Sequence, residues 1–130
     1  PEEVAEKLNM ALDYFVYDIY RVRLKEGRPF VIEKTYMPID VIPYLKRENV
    51  SGSIYEYIEE KLSLSIQSAH REITVRKATD FEAEKLNLEY GDPVAVAEQV
   101  GFLSAGTAFE YSISVHRYDM YAAQIVLTRN

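Results

Sequence analysis

The sequence predicts an α+β domain, a mostly antiparallel sheet flanked by short helices. Three observations predict it. Segments that alternate apolar and polar residues at period two recur along the chain. Short turn clusters join several of them, which suits antiparallel neighbours rather than long parallel crossovers. Between them lie brief stretches with helix-capping residues.

The elements follow in order. Residues 2–9 read as a short helix: Pro1 suits a first turn, Glu2 and Glu3 follow where the helix dipole favours acids, and Val4, Ala5 and Leu8 share a face. Residues 16–24 read as a strand, with Asp18, Tyr20, Val22 and Leu24 on one side and Tyr17, Ile19, Arg21 and Arg23 on the other. Residues 30–36 are a second strand, ended by Pro38, and a short helix is expected over 41–44. Ser53-Ile54-Tyr55-Glu56 has the form of a capping box, and Ile54, Tyr57, Ile58 and Leu62 form the buried stripe of the helix it opens. A long strand is expected over 65–76 and a helix over 79–88, with Thr79 and Glu82 as a second capping box. Residues 94–103 and 108–116 form a hairpin about Ser104-Ala105-Gly106, and 122–128 read as a closing strand. Ala5-Glu6-Lys7-Leu8-Asn9 recurs as Ala83-Glu84-Lys85-Leu86-Asn87, each copy followed by strand, glycine turn and strand. The recurrence is either a helix-plus-hairpin pseudo-repeat or a coincidence of common helix formers.

Composition bounds the function. The chain has 130 residues, 15 Lys+Arg against 21 Asp+Glu, and a formal net charge of −6. That length holds one domain with one core, and no low-complexity linker divides it, so residues 1–130 read as a single unit. With 48% hydrophobic and 28% charged residues, intrinsic disorder is excluded. No apolar run reaches the roughly 18–20 residues that span a bilayer, and no secretory signal opens the chain, so neither a membrane partner nor export is expected. Cysteine is absent, which excludes disulfides, thiolate metal sites and a cysteine nucleophile. The only histidines are His70 and His116, so no metal centre is expected, and no cofactor motif appears. The acidic balance argues against nucleic-acid binding by this chain alone. A chain opening on Pro1 rather than Met reads as part of something longer. No nucleophile elbow or paired-carboxylate pattern points to an enzyme.

Three patches carry chemistry. A three-residue turn, Lys25-Glu26-Gly27, would pair Leu24 with Arg28, Val22 with Phe30 and Tyr20 with Ile32. Arg21, Arg23 and Glu33 then share the opposite face, and two guanidinium forks at i, i+2 suit a phosphate or carboxylate. An ordinary charged sheet face would show the same spacing. Ser53 at a helix start, after Gly52, suits an anion through unbonded N–H groups, and equally suits a plain cap. Glu110, Ser112, Ser114 and His116 alternate with Tyr111, Ile113 and Val115. Their short hydrogen-bonding groups fit either a pocket lining or a half-exposed strand.

These residues also carry a resemblance. Tyr20-Arg21-Val22-Arg23, Gly27-Arg28-Pro29, Glu33 and Tyr36 resemble the opening of the UTRA domain, the effector-binding domain of HutC-subfamily GntR-type transcription regulators. Gly52-Ser53-Ile54-Tyr55 resembles its helix start, and Gly91-Asp92-Pro93-Val94 its G-x-P-V turn. Glu110-Tyr111-Ser112 and His116-Arg117-Tyr118-Asp119-Met120-Tyr121 resemble its closing motif. Met120 stands where the family usually has Arg, and His116 where Tyr is common. The resemblance implies a chorismate-lyase-like fold with internal duplication, a cytoplasmic homodimer, and a winged helix-turn-helix DNA-binding domain outside this chain. It implies ligand contacts at Arg21, Arg23, Glu33, Ser53, Ile54, Tyr55, Glu110, Ser112 and His116. In the family's sugar-phosphate sensors the arginines and the serine hold the phosphate, while the glutamates contact the sugar. The function expected is effector sensing and dimerisation in a transcription regulator, a repressor. The alternatives are a chorismate-lyase-like enzyme acting on a small carboxylate, or a dimerisation module alone.

Overall fold

In a computed structural model, which describes residues 2–10, 15–46 and 53–127, the alternating segments become strands. These are β1 (Val16–Lys25), β2 (Arg28–Pro38), β3 (Ile66–Lys77), β4 (Pro93–Leu103) and β5 (Ala108–Arg117). Every pairing is antiparallel, and the order across the sheet is β1-β2-β5-β4-β3. The hairpins β1-β2 and β4-β5 therefore lie side by side, joined through β2 and β5. No helix among the described residues is long and apolar enough to cross a membrane.

The repeated pentapeptide is structural. It closes α1 (Glu2–Lys7) and lies within and just past α3 (Asp80–Leu86). In both copies the asparagine turns left-handed, Asn9 at φ 52° and Asn87 at φ 55°. The next N–H then reaches back to the equivalent carbonyl, Met10 to Ala5 at 3.0 Å and Leu88 to Ala83 at 2.9 Å. Asparagine tolerates that conformation, so each helix stops at the same place. Each is followed by one hairpin. Both helices cover the same face of the sheet: Val4 and Leu8 pack on Tyr111, and Leu86 packs on Ile32, Val94 and Val115. Full burial of the Leu86 side chain contributes roughly 2 kcal/mol. The Tyr111 hydroxyl donates to Glu3 at 3.0 Å, tying α1 to β5. From the closing motif, Arg117 donates to the Leu86 carbonyl at 2.7 Å and is held by Asp119 at 3.0 Å, which secures the end of α3.

Among the described residues, the opposite face is covered only at one end. There α2 (Ile54–Glu56) runs on into a π-helical turn, Tyr57–Lys61. Ile54 and Ile58 pack on Ile19, Met37, Leu103 and Phe109. Beyond this cluster the face carries polar side chains.

Three expectations need correction. The first hairpin closes with a two-residue loop, Glu26-Gly27, between Lys25 and Arg28, not a three-residue one. Both loop residues have positive φ, 53° and 78°, as a twist-matched tight turn demands. That loop alone would send Glu33 to the other face from Arg21. A bulge intervenes: Leu24 pairs with Pro29 and Arg23 with Val31, so Phe30 has no partner on β1. Parity is restored, and Arg21 stands opposite Glu33. Val22 accordingly meets Ile32 and Tyr20 meets Lys34, two residues from the expected register but with the same faces.

Residues 41–44 form a turn, not a helix. Val41 and Ile42 both donate to the Pro38 carbonyl, after which Pro43 has no N–H to give and Tyr44 adopts φ 63°. Finally, residues 122–127 form no strand: they are exposed and pair with no strand among the described residues. β sequence without a ladder partner gains no hydrogen bonds from extension. Pro1, Gly52 and Thr128, on which parts of the sequence reading fell, lie outside the described residues.

Candidate functional site

The uncovered part of the second face, bounded by the start of α2, forms a cavity of about 450 Å³. That volume suits a small molecule. From β1 and β2 come Arg21, Arg23 and Glu33. Arg21 is largely buried and its Nη2 lies 3.0 Å from Glu33 Oε1; Arg23 is half exposed, with Nη1 at 3.8 Å from the same oxygen. One carboxylate thus holds two guanidinium groups together without cancelling their summed charge.

The start of α2 supplies a second set of donors. Ser53 is extended and its Oγ accepts the Glu56 N–H at 3.2 Å, the forward half of the expected box. The reciprocal box forms in full at Thr79 and Glu82. As a cap acceptor, Ser53 keeps its hydroxyl proton for another partner. The Ile54 and Tyr55 N–H groups, in the first turn, have no intrahelical carbonyl to reach.

The third side is a hydrogen-bonded network around Glu110. Its side chain is buried on β5, facing the cavity. The Tyr55 hydroxyl donates to Glu110 Oε1. Gln99 Nε2 donates to the same oxygen at 2.9 Å and to the Tyr55 oxygen at 3.2 Å. Arg71 Nε in turn donates to Gln99 Oε1 at 2.8 Å. Burial pushes the Glu110 carboxyl above the usual carboxylate range, while the Tyr55 and Gln99 hydrogen bonds and the Arg71 charge pull the other way. Burial and the adjacent Glu110 push the Tyr55 hydroxyl far above its ordinary range, so it remains a donor. Among the described residues Glu110 Oε2 accepts no hydrogen bond, which leaves one strong acceptor for a ligand.

Gly101 makes room for this network. A Cβ there would come within 2.8 Å of Phe109 Cε1 and 2.9 Å of Glu110 Oε1. Gly101→Ala is therefore expected to displace Glu110 and lower the melting temperature. Unchanged stability and an unmoved Glu110 in a crystal structure of the variant would refute this account.

Of the residues singled out by sequence, Arg21, Arg23, Glu33, Ser53, Ile54, Tyr55, Glu110 and Ser112 all line this one cavity. His116 does not. It shares their face but stands opposite Ala95 and Val31, beneath the Tyr121 ring, whose centroid is 4.4 Å away. The turn at Tyr118–Met120 brings the chain back over it. Burial and the Arg71 charge push His116 down, keeping it neutral at pH 7. Sequence reasoning missed Thr35, Met37, Arg71 and Gln99. Thr35 and Met37 carried a signal, the period-two continuation of Glu33 on β2. Arg71 and Gln99 become visible only through the β3-β4-β5 register, which sets Arg71 opposite Gln99 and Gln99 opposite Ser112.

Fold and cavity together define an antiparallel α+β domain with a mixed-charge pocket of small-molecule size. Residues 1–122 match the UTRA domain, and the chain belongs to that family. It is 40% identical over 128 residues to the HTH-type transcriptional regulator GmuR of Bacillus subtilis, covering 98% of this chain and 54% of that protein. The chain spans about half the length of the curated relatives it matches. Among solved structures, the regulator YydK of B. subtilis superposes with a TM-score of 0.91 at 35% identity, covering 100% of this chain and 57% of the other. The effector binding domain of the B. subtilis trehalose repressor TreR superposes with a TM-score of 0.87 at 32% identity, covering 100% of this chain and 90% of the other.

Proposed function

We propose that this chain is the effector-sensing domain of a bacterial transcription regulator, a repressor, and that it binds an anionic, hydroxyl-rich metabolite such as a sugar phosphate. One observation carries the reading. Arg21, Arg23 and the Ser53 helix start line a single cavity together with Glu110 and its partners Tyr55 and Gln99. The first set is built for an anion and the second for hydroxyl groups. A solved relative named as the effector binding domain of a trehalose repressor fits a carbohydrate ligand. In this reading Glu33 also contacts the ligand, Ser112 lines its path, and the Ile54 and Tyr55 N–H groups join Ser53 on the anion.

The DNA-binding domain, a winged helix-turn-helix, belongs to the part of the regulator outside these residues, and the whole works in the cytoplasm. The effector binds one interdomain arrangement better than another and so shifts the population between DNA-competent and DNA-released states. The domain is no enzyme: incubation with chorismate is expected to yield no 4-hydroxybenzoate. The deciding experiment is mass spectrometry of the ligand carried through native purification. A phosphorylated polyhydroxyl compound is expected; a neutral or cationic ligand would overturn the reading.

The regulator is a homodimer. β3 is an outer edge exposed along nearly its whole length, and Ile125, Val126 and Leu127 are exposed and pair with no strand among the described residues. Bare edges and apolar β sequence pair when a second copy supplies the ladder. Light scattering is expected to show a dimer at micromolar concentration, and removal of residues 122–130 to weaken it at least about tenfold. A chain monomeric at high micromolar concentration would contradict this.

A further inference from the structure

We infer that Arg71 is a specificity-determining residue of this site, binding through its Nη groups an oxygen on the end of the ligand remote from the anion. The inference rests on the anion reading of Arg21 and Arg23 above. Arg71 is the sole cavity-lining residue that β3 contributes among those described. It lies on an edge strand that is otherwise solvated on both faces, where an arginine has no packing reason to lean inward. Lean inward it does: its Nε spends one hydrogen bond on Gln99, over β4. Its two Nη groups donate to nothing among the described residues, and they are the donors a fork offers beyond the Nε bond.

The placement gives the ligand a length. Arg21 reaches over β2 to Glu33, and Arg71 over β4 to Gln99, with β5 between them. Two strand spacings separate the groups by roughly 10 Å across the sheet. Arg71 is also offset by one facing pair along the strands, since Gln99 stands opposite Ser112 whereas Glu33 stands opposite Ser114. Inorganic phosphate bound at Arg21 and Arg23 cannot reach Arg71. A phosphorylated six-carbon sugar, with hydroxyls at its far end, can. The Nε bond serves the same end by fixing the Gln99 carbonyl, which turns the Gln99 amide group toward Glu110 and Tyr55. Arg71 thereby reads one end of the ligand and positions the groups that read its middle.

The test uses calorimetric titration of this chain with inorganic phosphate and with glucose 6-phosphate. Arg71→Gln is expected to weaken glucose 6-phosphate binding at least about tenfold, the loss of a charge-assisted hydrogen bond, and to leave phosphate within about twofold. Arg21→Ala should weaken both. A second arm separates direct contact from an effect through Gln99. In a Gln99→Met background, Arg71→Gln should still weaken glucose 6-phosphate about tenfold; no further loss there would mean that Arg71 only positions its neighbour, and would overturn the inference. An equal loss for both probes, no loss for either, or a wild type that binds glucose 6-phosphate no better than phosphate would overturn it too. None of these touches the anion reading, which falls separately if phosphate binding is indifferent to Arg21 and Arg23. Thermal unfolding of each variant controls for folding, and Arg71 lies on an exposed strand whose ladder does not depend on its side chain.

Discussion

Arg21→Ala is expected to weaken binding of a phosphorylated ligand well over tenfold, and Arg23→Ala about tenfold. Charge-assisted hydrogen bonds contribute roughly 1.5–3 kcal/mol each, and a tenfold change needs about 1.4 kcal/mol. The two arginines are not equivalent. Arg21 is largely buried and lies 3.0 Å from Glu33, whereas Arg23 is half exposed and 3.8 Å away. Solvent screens the exposed group more, so its removal costs less. Removing Arg21 also leaves the Glu33 carboxylate repelling the incoming anion, with Arg23 alone to offset it. Neither substitution unfolds the domain, because the apolar clusters under the helices and at α2 do not include these side chains. Titration calorimetry with the native effector and its dephosphorylated form is the measurement. Equal affinity of both variants and the wild type for the phosphorylated form would eliminate the anion site.

Glu110→Gln is expected to abolish discrimination among the hydroxyl groups of the ligand while inorganic phosphate binding stays nearly intact. The buried carboxylate already takes two donors on Oε1, from Tyr55 and Gln99. An amide in its place offers one acceptor oxygen and turns the other position into a donor. A site built to accept from a hydroxyl then presents N–H to it, and such mismatches are costly because buried polar groups remain unsatisfied. Lost phosphate binding with hydroxyl discrimination unchanged would reverse the assigned roles of the two hairpins.

The same substitution should change stability in a pH-dependent way. Burial raises the Glu110 pKa in the folded state above its ordinary value of 4.5. The folded protein thus favours the protonated form, and ionisation costs stability. That cost is absent below the unfolded-state pKa and grows as pH rises through the raised folded value. The amide of Glu110→Gln does not ionise, so the variant should melt higher than wild type at pH 7 and nearly level with it at pH 4. A variant less stable than wild type at pH 7 would show that the network donors more than offset the burial cost.

Much of the site was legible because alternation is a property of the strand itself. Arg21 and Arg23, or Glu110 and Ser112, share a face in any sheet that contains their strands, since side chains alternate with period two. The helix stops at Asn9 and Asn87 are equally local, each a left-handed asparagine that ends a copy of the repeated pentapeptide. Family membership followed from ordered motifs that span nearly the whole chain. What the chain could not show locally is what depends on distant partners. The face of Glu33 relative to Arg21 hangs on a loop and a bulge whose effects on parity cancel, and only the ladder reveals that Phe30 is passed over. Residues 41–44 do not form the helix expected there, because Pro43 lacks an N–H and Tyr44 turns left-handed. Residues 122–127 had β composition, yet a strand exists only where another chain segment completes its hydrogen bonds, and none of the described residues does so. His116 kept its face and lost the cavity, because the returning chain set Tyr121 on its ring. Arg71 and Gln99 join the pocket through the pairing of β3 with β4 and of β4 with β5. Local periodicity determined which way each side chain points. Strand order and register, set by long-range pairing, decided which side chains meet.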